Sequence, residues 1–422
     1  MKKYIPRLVD NEVQRGLKTS GALLLQGPRA CGKTSTAKQC TQSSIQLDRD
    51  TPETMLAHNH PALALEGVKP RLVDGWRVVP GVWNKVRHAV DEAADKGLFI
   101  LTGSATPEEE SARHSGAGRI RSIVMRTLSL AERQVPAQRV SLAQIIAGDQ
   151  EFIAGTEATG EDYAHWIVAS GFPEFFTLDS EDAQELLTAY LENMSEHDDP
   201  LLGGPRRDPR RFRSFLQGYA GLVAQPATGA AIRRRIGELS GARHEMAMET
   251  VNSLHDFATR LYLVEDQPAW ATRLRSRTSL VQMPKRHLAD PGLAAALFGA
   301  GPQHLLSDLE TLGILFESML VHDLRVYAQA LRARGVFHLR DTKGRQEMDA
   351  VLELRDGTWI GFETKQSHHQ IDQAAEHLKS VATIVERPPA ALIVIILPGR
   401  RTSVRMACGL SHWLRSDRKL LQ

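Results

Sequence analysis

The sequence predicts an α/β protein that opens with a parallel sheet, continues through helical layers and closes with a smaller α/β unit. Three observations carry this. Leu23, Leu24 and Leu25 run into a Gly-rich loop at 27–35 and then a helix-compatible stretch at 36–39. Up to about residue 135 short apolar runs alternate with helix-like segments, the pattern of buried parallel strands joined by helical crossovers. Beyond residue 336 strand-like runs return, carrying Asp349, Glu363 and Lys365.

In order, a helical period at 9–17 enters the fold and a turn at 18–21 closes it. The first strand follows, then a second at 44–48, a third ending at Asp74, a helix over 82–94 and a strand at 98–102. Residues 1–135 are read as the first domain and 136–220 as a helical connecting region, in which Leu186, Leu187, Tyr190, Leu191 and Met194 recur at helical spacing. Within 221–300, helices at 230–239 and 245–259 flank a turn at Gly241. A strand at 261–264 and an arginine-rich strand at 273–280 come next, which is a winged-helix layout. Residues 301–422 form the last domain: a long helix over 304–332, strands at 336–340, 348–354 and 359–364, a helix at 371–381 and a strand at 390–397.

Composition narrows the class. The chain has 422 residues, 42% of them hydrophobic, enough for ordinary packed cores in two or more domains. Its longest apolar run, 390–397, is far short of the roughly 20 residues a bilayer span needs, and no apolar stretch follows the basic start. The expectation is a soluble, cytoplasmic protein with no membrane partner. Three cysteines, Cys31, Cys40 and Cys408, form no C-x-x-C pair, so neither a disulfide framework nor a zinc ribbon is expected. The formal charge of +2 hides an uneven distribution: residues 201–290 hold 15 Lys and Arg against 8 Asp and Glu. That basic middle points to nucleic acid, or equally to arginines on solvated helix faces.

The loop Gly27, Pro28, Arg29, Ala30, Cys31, Gly32, Lys33, Thr34, Ser35 reads G-x-x-x-x-G-K-[ST]. The glycines let backbone N–H groups turn toward a β-phosphate, Lys33 reaches the β- and γ-phosphates, and the Thr34 hydroxyl holds Mg²⁺. ATP is the expected ligand, with Cys31 a small space-filler. Asp74, at the tip of an apolar strand, suits the acid that orients Mg²⁺ through water. Thr102 or Ser104, on the next strand, is placed to sense the γ-phosphate, and Arg119 is the candidate for pairing it, in cis or from a neighbouring subunit. The oligomeric state is left open.

The C-terminal residues have their own logic. Glu363 and Lys365 share a strand face because side chains alternate. A three-residue loop, Arg355, Asp356 and Gly357, with the glycine left-handed, brings Asp349 opposite Glu363; a two-residue loop turns it to the wrong side. Asp349, Glu363 and Glu317 then offer oxygen ligands to Mg²⁺ or Mn²⁺, and Lys365 stabilises the attacking hydroxide or the phosphorane charge. This is the D…E-x-K pattern of PD-(D/E)xK nuclease-like folds.

The segments GPRACGKTSTA, LVDGWRVVPGVW, LFILTGSAT, HSGAGRI, ASGFPEFF, MPKRHLADPGLAAALFG and FESMLVHDLRVYAQAL, in that order, resemble prokaryotic AAA-type ATPases with a C-terminal domain of unknown function and restriction-endonuclease-like fold. The resemblance implies ATP binding, an ATPase site at the residues above, and a nuclease-like site at Asp349, Glu363 and Lys365. One departure matters. Such proteins carry a glutamate after the strand-ending aspartate to polarise water, and here that position is Gly75. Weak or regulated turnover is expected, since such groups contribute about 10²–10⁴ in rate. Three functions remain open: an ATPase joined to a DNA-associated domain, with Thr250, Asn252, Ser253 and His255 as DNA readers; a non-hydrolysing regulator that docks a protein; and an ATP-controlled metal-dependent DNase.

Overall fold

The computed structural model describes residues 3–103, 116–135, 141–148, 155–197, 208–241, 246–271, 282–341, 346–399 and 404–405. Ser104, Cys408 and the expected strand at 273–280 lie outside the described residues.

Helix α1 (Asp10–Thr19) precedes β1 (Ala22–Gln26), and the Gly-rich loop joins β1 to α2 (Lys33–Lys38). Then come β2 (Ser43–Gln46), α3 (Pro52–Asn59), β3 (Arg71–Asp74), α4 (Gly81–Ala93), β4 (Phe99–Gly103) and β5 (Ile120–Val124). These strands form one parallel sheet in the order β2-β3-β4-β1-β5. β1 lies inside the sheet between β4 and β5, and its three leucines are buried on both faces, each contributing about 2 kcal/mol in transfer from water. Val82, Val86 and Val90, one face of α4, cover one side of the sheet, while Val9 and Val13 pack with Leu23 and Leu25 on the other. The close approach requires small residues. A Cβ on Gly21 would lie 2.3 Å from Val90 Cγ1, and one on Gly27 2.1 Å from the Met125 carbonyl oxygen.

The middle is helical: α5 (Leu142–Ile146), α6 (Gly160–Ala169), α7 (Ser180–His197), α8 (Pro209–Ala220), α9 (Gly229–Ser240), α10 (Met248–Arg260), α11 (Pro291–Phe298) and α12 (Pro302–Ser307). A two-residue strand, β6 (Gly155–Thr156), precedes α6. One large core runs through most of these helices, centred on Phe172, Phe212, Phe215, Tyr219 and Phe257. The helical pair flanking left-handed Gly241 forms as the spacing predicts. The strand expected at 261–264 does not. Tyr262 has φ +57°, a turn, and pairing begins later, with antiparallel bridges of Val264 to Leu288 and of Gln267 to Lys285. A left-handed residue ends any extended run, which is why the apolar Leu261–Val264 sequence is not a strand.

The single long helix expected over 304–332 is two. Asp308 breaks it and caps α13 (Leu309–Ala330), its side chain accepting from the Thr311 N–H at 3.1 Å. The first half of α13 packs into the helical core and the second half onto a second sheet. That sheet contains β7 (Gly335–Arg340), β8 (Glu347–Glu353), β9 (Trp359–Lys365) and β10 (Ala391–Ile396), with α14 (Ile371–Ala382) between the last two. Its order is β10-β9-β8-β7, antiparallel except for the parallel β9–β10 pair. A last two-residue strand, β11 (Val404–Arg405), pairs with β6. No helix among the described residues is long and apolar enough to cross a membrane.

Candidate functional site

The C-terminal ends of parallel strands are where open α/β sheets bind ligands, and the Gly-rich loop leaves β1 at that edge. Gly27 (φ +146°) and Gly32 (φ +103°) take backbone angles other residues avoid, and Cys31 between them is buried as a filler. Lys33 Nζ donates to the Gly27 and Pro28 carbonyls at 2.9 and 2.7 Å, so its ammonium lies across the loop's mouth. The Thr34 hydroxyl donates to Asp74 Oδ1 at 3.1 Å, the Thr102 hydroxyl donates to the same oxygen, and Gln46 Nε2 donates to Oδ2 at 3.3 Å. Strands β3 and β4 impose this meeting by pairing Asp74 with Thr102 in register. A hydroxyl and a carboxylate converging beside the loop fit a hydrated Mg²⁺, and Thr34 and Asp74 would hold it. Bound there with nucleotide, the ion would neutralise phosphate charge.

Arg119 lies away from the loop of its own chain. It precedes β5 at the opposite end of the sheet, where its carbonyl accepts from the Ala22 N–H, five residues before Gly27 and hence roughly 17 Å away along the strand. Its guanidinium is bound to Asp91 at 2.6 and 2.9 Å. It does not reach the loop in cis. Two arginines that the sequence reading missed do lie at the nucleotide edge. Buried Arg7 donates to the Cys31 carbonyl at 2.9 Å and pairs with Glu132 at 3.1 Å, fastening the loop from outside. Arg126, just past β5, forms a two-pronged pair with Glu265 at 2.6 and 2.9 Å and donates to Gln329 Oε1 at 2.9 Å. Burial would raise the Glu265 carboxyl, but Arg126 and Arg325 hold it well below the usual range. Arg126, Glu265 and Pro28 also line a cavity of about 300 Å³ between the loop and α10.

At the second sheet, Leu354 N–H donates to the Thr358 carbonyl at 2.8 Å, which leaves Arg355, Asp356 and Gly357 as the loop, with Gly357 at φ +86°. Glu353 pairs with Trp359 and Ala350 with Phe362, so Asp349 falls opposite Glu363 as the three-residue loop requires. Lys365 Nζ donates to Glu363 Oε1 at 2.6 Å across one residue of strand. Asp349 Oδ2 accepts from the Thr364 N–H and hydroxyl, both at 2.8 Å.

The acids expected as a metal set, Glu317, Asp349 and Glu363, gather around a lysine. Lys285, 2% exposed, places Nζ 2.8 Å from Glu317 Oε1, 3.1 Å from Glu347 Oε1 and 3.3 Å from Asp349 Oδ1. An ammonium therefore stands among the carboxylates a divalent ion would need, and a second cation there would be repelled. Among the described residues no three His, Cys, Asp or Glu side chains are grouped to hold a metal ion. Burial alone would lower the Lys285 pKa, yet Glu317, Asp349 and Glu347 outweigh it and hold the amine charged. One cation cannot neutralise three acids. Burial, then repulsion from Asp349, pushes Glu317 up to about 8. The same causes push Glu363 up to about 7, and its Oε2 has no hydrogen-bond partner among the described residues. Burial also acts to raise Asp349, but Lys285 and the Thr364 hydrogen bonds bring it below its ordinary value. Nothing local in the sequence marks Lys285, whose partners lie 32, 62 and 64 residues away.

Of the expected DNA readers, His255 is half-buried, its ring 3.1 Å from Asp266 and packed beside Tyr219, so it serves the helical core. Asn252 and Ser253 are exposed and Thr250 half-buried on α10.

A parallel sheet with a phosphate loop at its carboxyl edge, and an acid bonded to the loop threonine, define a P-loop nucleotide-binding protein. Residues 19–134 match the model of an AAA domain family. Residues 160–304 and 312–408 match two domains of unknown function, DUF8612 and DUF4143. The chain thus contains an AAA-type, ATPase-like nucleotide-binding domain. None of the curated proteins matches it. Among solved structures, the Walker-type ATPase PABY2304 of Pyrococcus abyssi is 13% identical, with 68% of this chain and 94% of that one covered and a TM-score of 0.41. The Orc1 protein of Aeropyrum pernix, solved in complex with DNA, is 13% identical over 71% and 95% of the two chains, with a TM-score of 0.23.

Proposed function

We propose that the protein is an ATP-driven switch: the P-loop site binds ATP with Mg²⁺ and hydrolyses it slowly, and the nucleotide state sets the position of a C-terminal domain that contacts DNA without cutting it. The observation that carries this reading is the convergence of Thr34, Thr102 and Gln46 on Asp74 beside Lys33. Transmission to the rest of the chain is supported by Arg126. It follows the strand beside the phosphate loop and grips Glu265 in the middle and Gln329 on α13. The order helix, three strands, helix, strand after residue 309 supports a restriction-endonuclease-like domain, and Lys285 among its acids supports binding over cleavage.

Titration with a fluorescent ATP analogue tests the first part. Lys33→Ala is expected to lose binding by at least a hundredfold, and unchanged affinity would overturn the loop's assignment. For the second part, DNA incubated with Mg²⁺ or Mn²⁺, with and without ATP, should stay intact while being retained on the protein in a strongly salt-dependent way. Cleavage abolished by Asp349→Ala would replace this reading with a metal-dependent DNase. A protein-docking regulator is the second reading, favoured by the pairing of Arg213 with Glu192 and of Arg211 with Asp208, which neutralises part of the basic middle. Absence of DNA retention at low salt would select it.

A further inference from the structure

We infer that Asp48 supplies the carboxylate that position 75 lacks, acting as the base that orients and deprotonates water for ATP hydrolysis. The inference rests on the P-loop reading above. Strand β2 lies beside β3 in parallel register, Gln46 opposite Asp74, and the Leu47 N–H donates to the Asp74 carbonyl at 2.9 Å. The chain then turns, and Asp48 comes to lie beside Gly75. A side chain attached at Gly75 would begin 3.5 Å from Asp48 Cβ and 3.6 Å from Asp48 Cγ. The carboxyl carbon of Asp48 thus lies next to the point from which a glutamate at position 75 would leave the backbone, but it is carried by the turn that follows the neighbouring strand.

Three further observations suit a base. Asp48 is exposed at the carboxyl edge of the sheet, the edge that also carries Thr34 and Asp74. Its carboxylate has no hydrogen bond or ion pair among the described residues, whereas Asp74 is held by three side-chain donors. Gly75 itself is left-handed, at φ +69°, and a side chain there would have room beside Asp48, so the space for an acid exists and Asp48 already stands in it.

In the step assigned to Asp48, the water oxygen forms a bond to the γ-phosphorus as the bond to the β,γ-bridging oxygen breaks. That electron pair leaves on ADP. One water proton passes to the Asp48 carboxylate and on to solvent, and the other remains on the released hydrogen phosphate.

The test measures ATP affinity and steady-state phosphate release separately on the full chain. Asp48→Asn is expected to bind ATP as wild type does and to lose turnover by about 10²–10⁴-fold, the contribution typical of a positioned base. Asp48→Glu should keep part of the activity, and Asp50→Asn, on the same exposed turn, should keep all of it. Adding Gly75→Glu to Asp48→Asn should restore turnover by returning a carboxylate to the same space. Wild-type turnover in Asp48→Asn would overturn the assignment, as would a wild-type protein that binds ATP and never hydrolyses it. A wild-type protein that binds no ATP would instead overturn the P-loop reading on which the assignment rests.

Discussion

The two carboxylate sites sit at comparable places, the ends of strands in two α/β sheets, and differ in what faces the acids. Asp74 is held by neutral donors, the hydroxyls of Thr34 and Thr102 and the amide of Gln46, so its charge is left for an incoming cation. Asp349, Glu317 and Glu347 face a buried ammonium supplied by the chain itself. A set of acids does not by itself say which cation answers it. The counter-ion decides, and it can arrive from a segment with no local signal.

The comparison breaks first at Lys285. Lys285→Met leaves three acids without a cation and should cost about 3–5 kcal/mol of stability in urea unfolding at pH 8. The loss should shrink toward pH 5, where Glu317, with its carboxyl pushed up to about 8, is protonated in the folded state. A cost below about 1 kcal/mol at both pH values would mean that the ammonium is not the acids' counter-ion.

A smaller effect concerns Glu363, whose carboxyl is raised to about 7 against an ordinary 4.5. Between those values the folded chain holds a proton that the unfolded chain has released, so stability is greatest at the acid end of the window and falls as pH rises through it. The drop from pH 5 to pH 8 should be of order 2 kcal/mol and should flatten in Glu363→Gln, read by urea midpoints across pH. An unchanged slope would show that Glu363 ionises freely.

The smallest effect is expected at the neutral site. Thr102→Val removes one of three donors to Asp74 and should cost about 1 kcal/mol of stability, with ATP affinity falling several-fold. A loss as large as that of Lys285→Met would mean that the two sites are built alike after all.

Much of the molecule was legible in one dimension. The Gly-rich loop, the buried leucines of β1, the helices around Gly241 and the three-residue loop at Gly357 all follow from local patterns: left-handed glycines, uninterrupted apolar runs and strict alternation of side chains. The errors share a physical origin. The helix expected over 304–332 breaks because Asp308 prefers capping to propagation, and the strand expected at 261–264 yields to a left-handed turn at Tyr262. The end of the sheet at which Arg119 lies was not legible, because its Gly-rich surroundings say nothing about which end of the parallel sheet a loop occupies.

The phosphate loop, with its lysine, threonine and aspartate, and the face shared by Glu363 and Lys365 are legible along the chain alone, because they depend on spacing along one or two adjacent elements. Packing in three dimensions is what puts Lys285 into the acid cluster, links Arg126 to Glu265 and Gln329, and stands Asp48 beside Gly75. Each of these joins residues on separate elements, and charges meet across such distances only when packing closes them, a closure that no local period encodes.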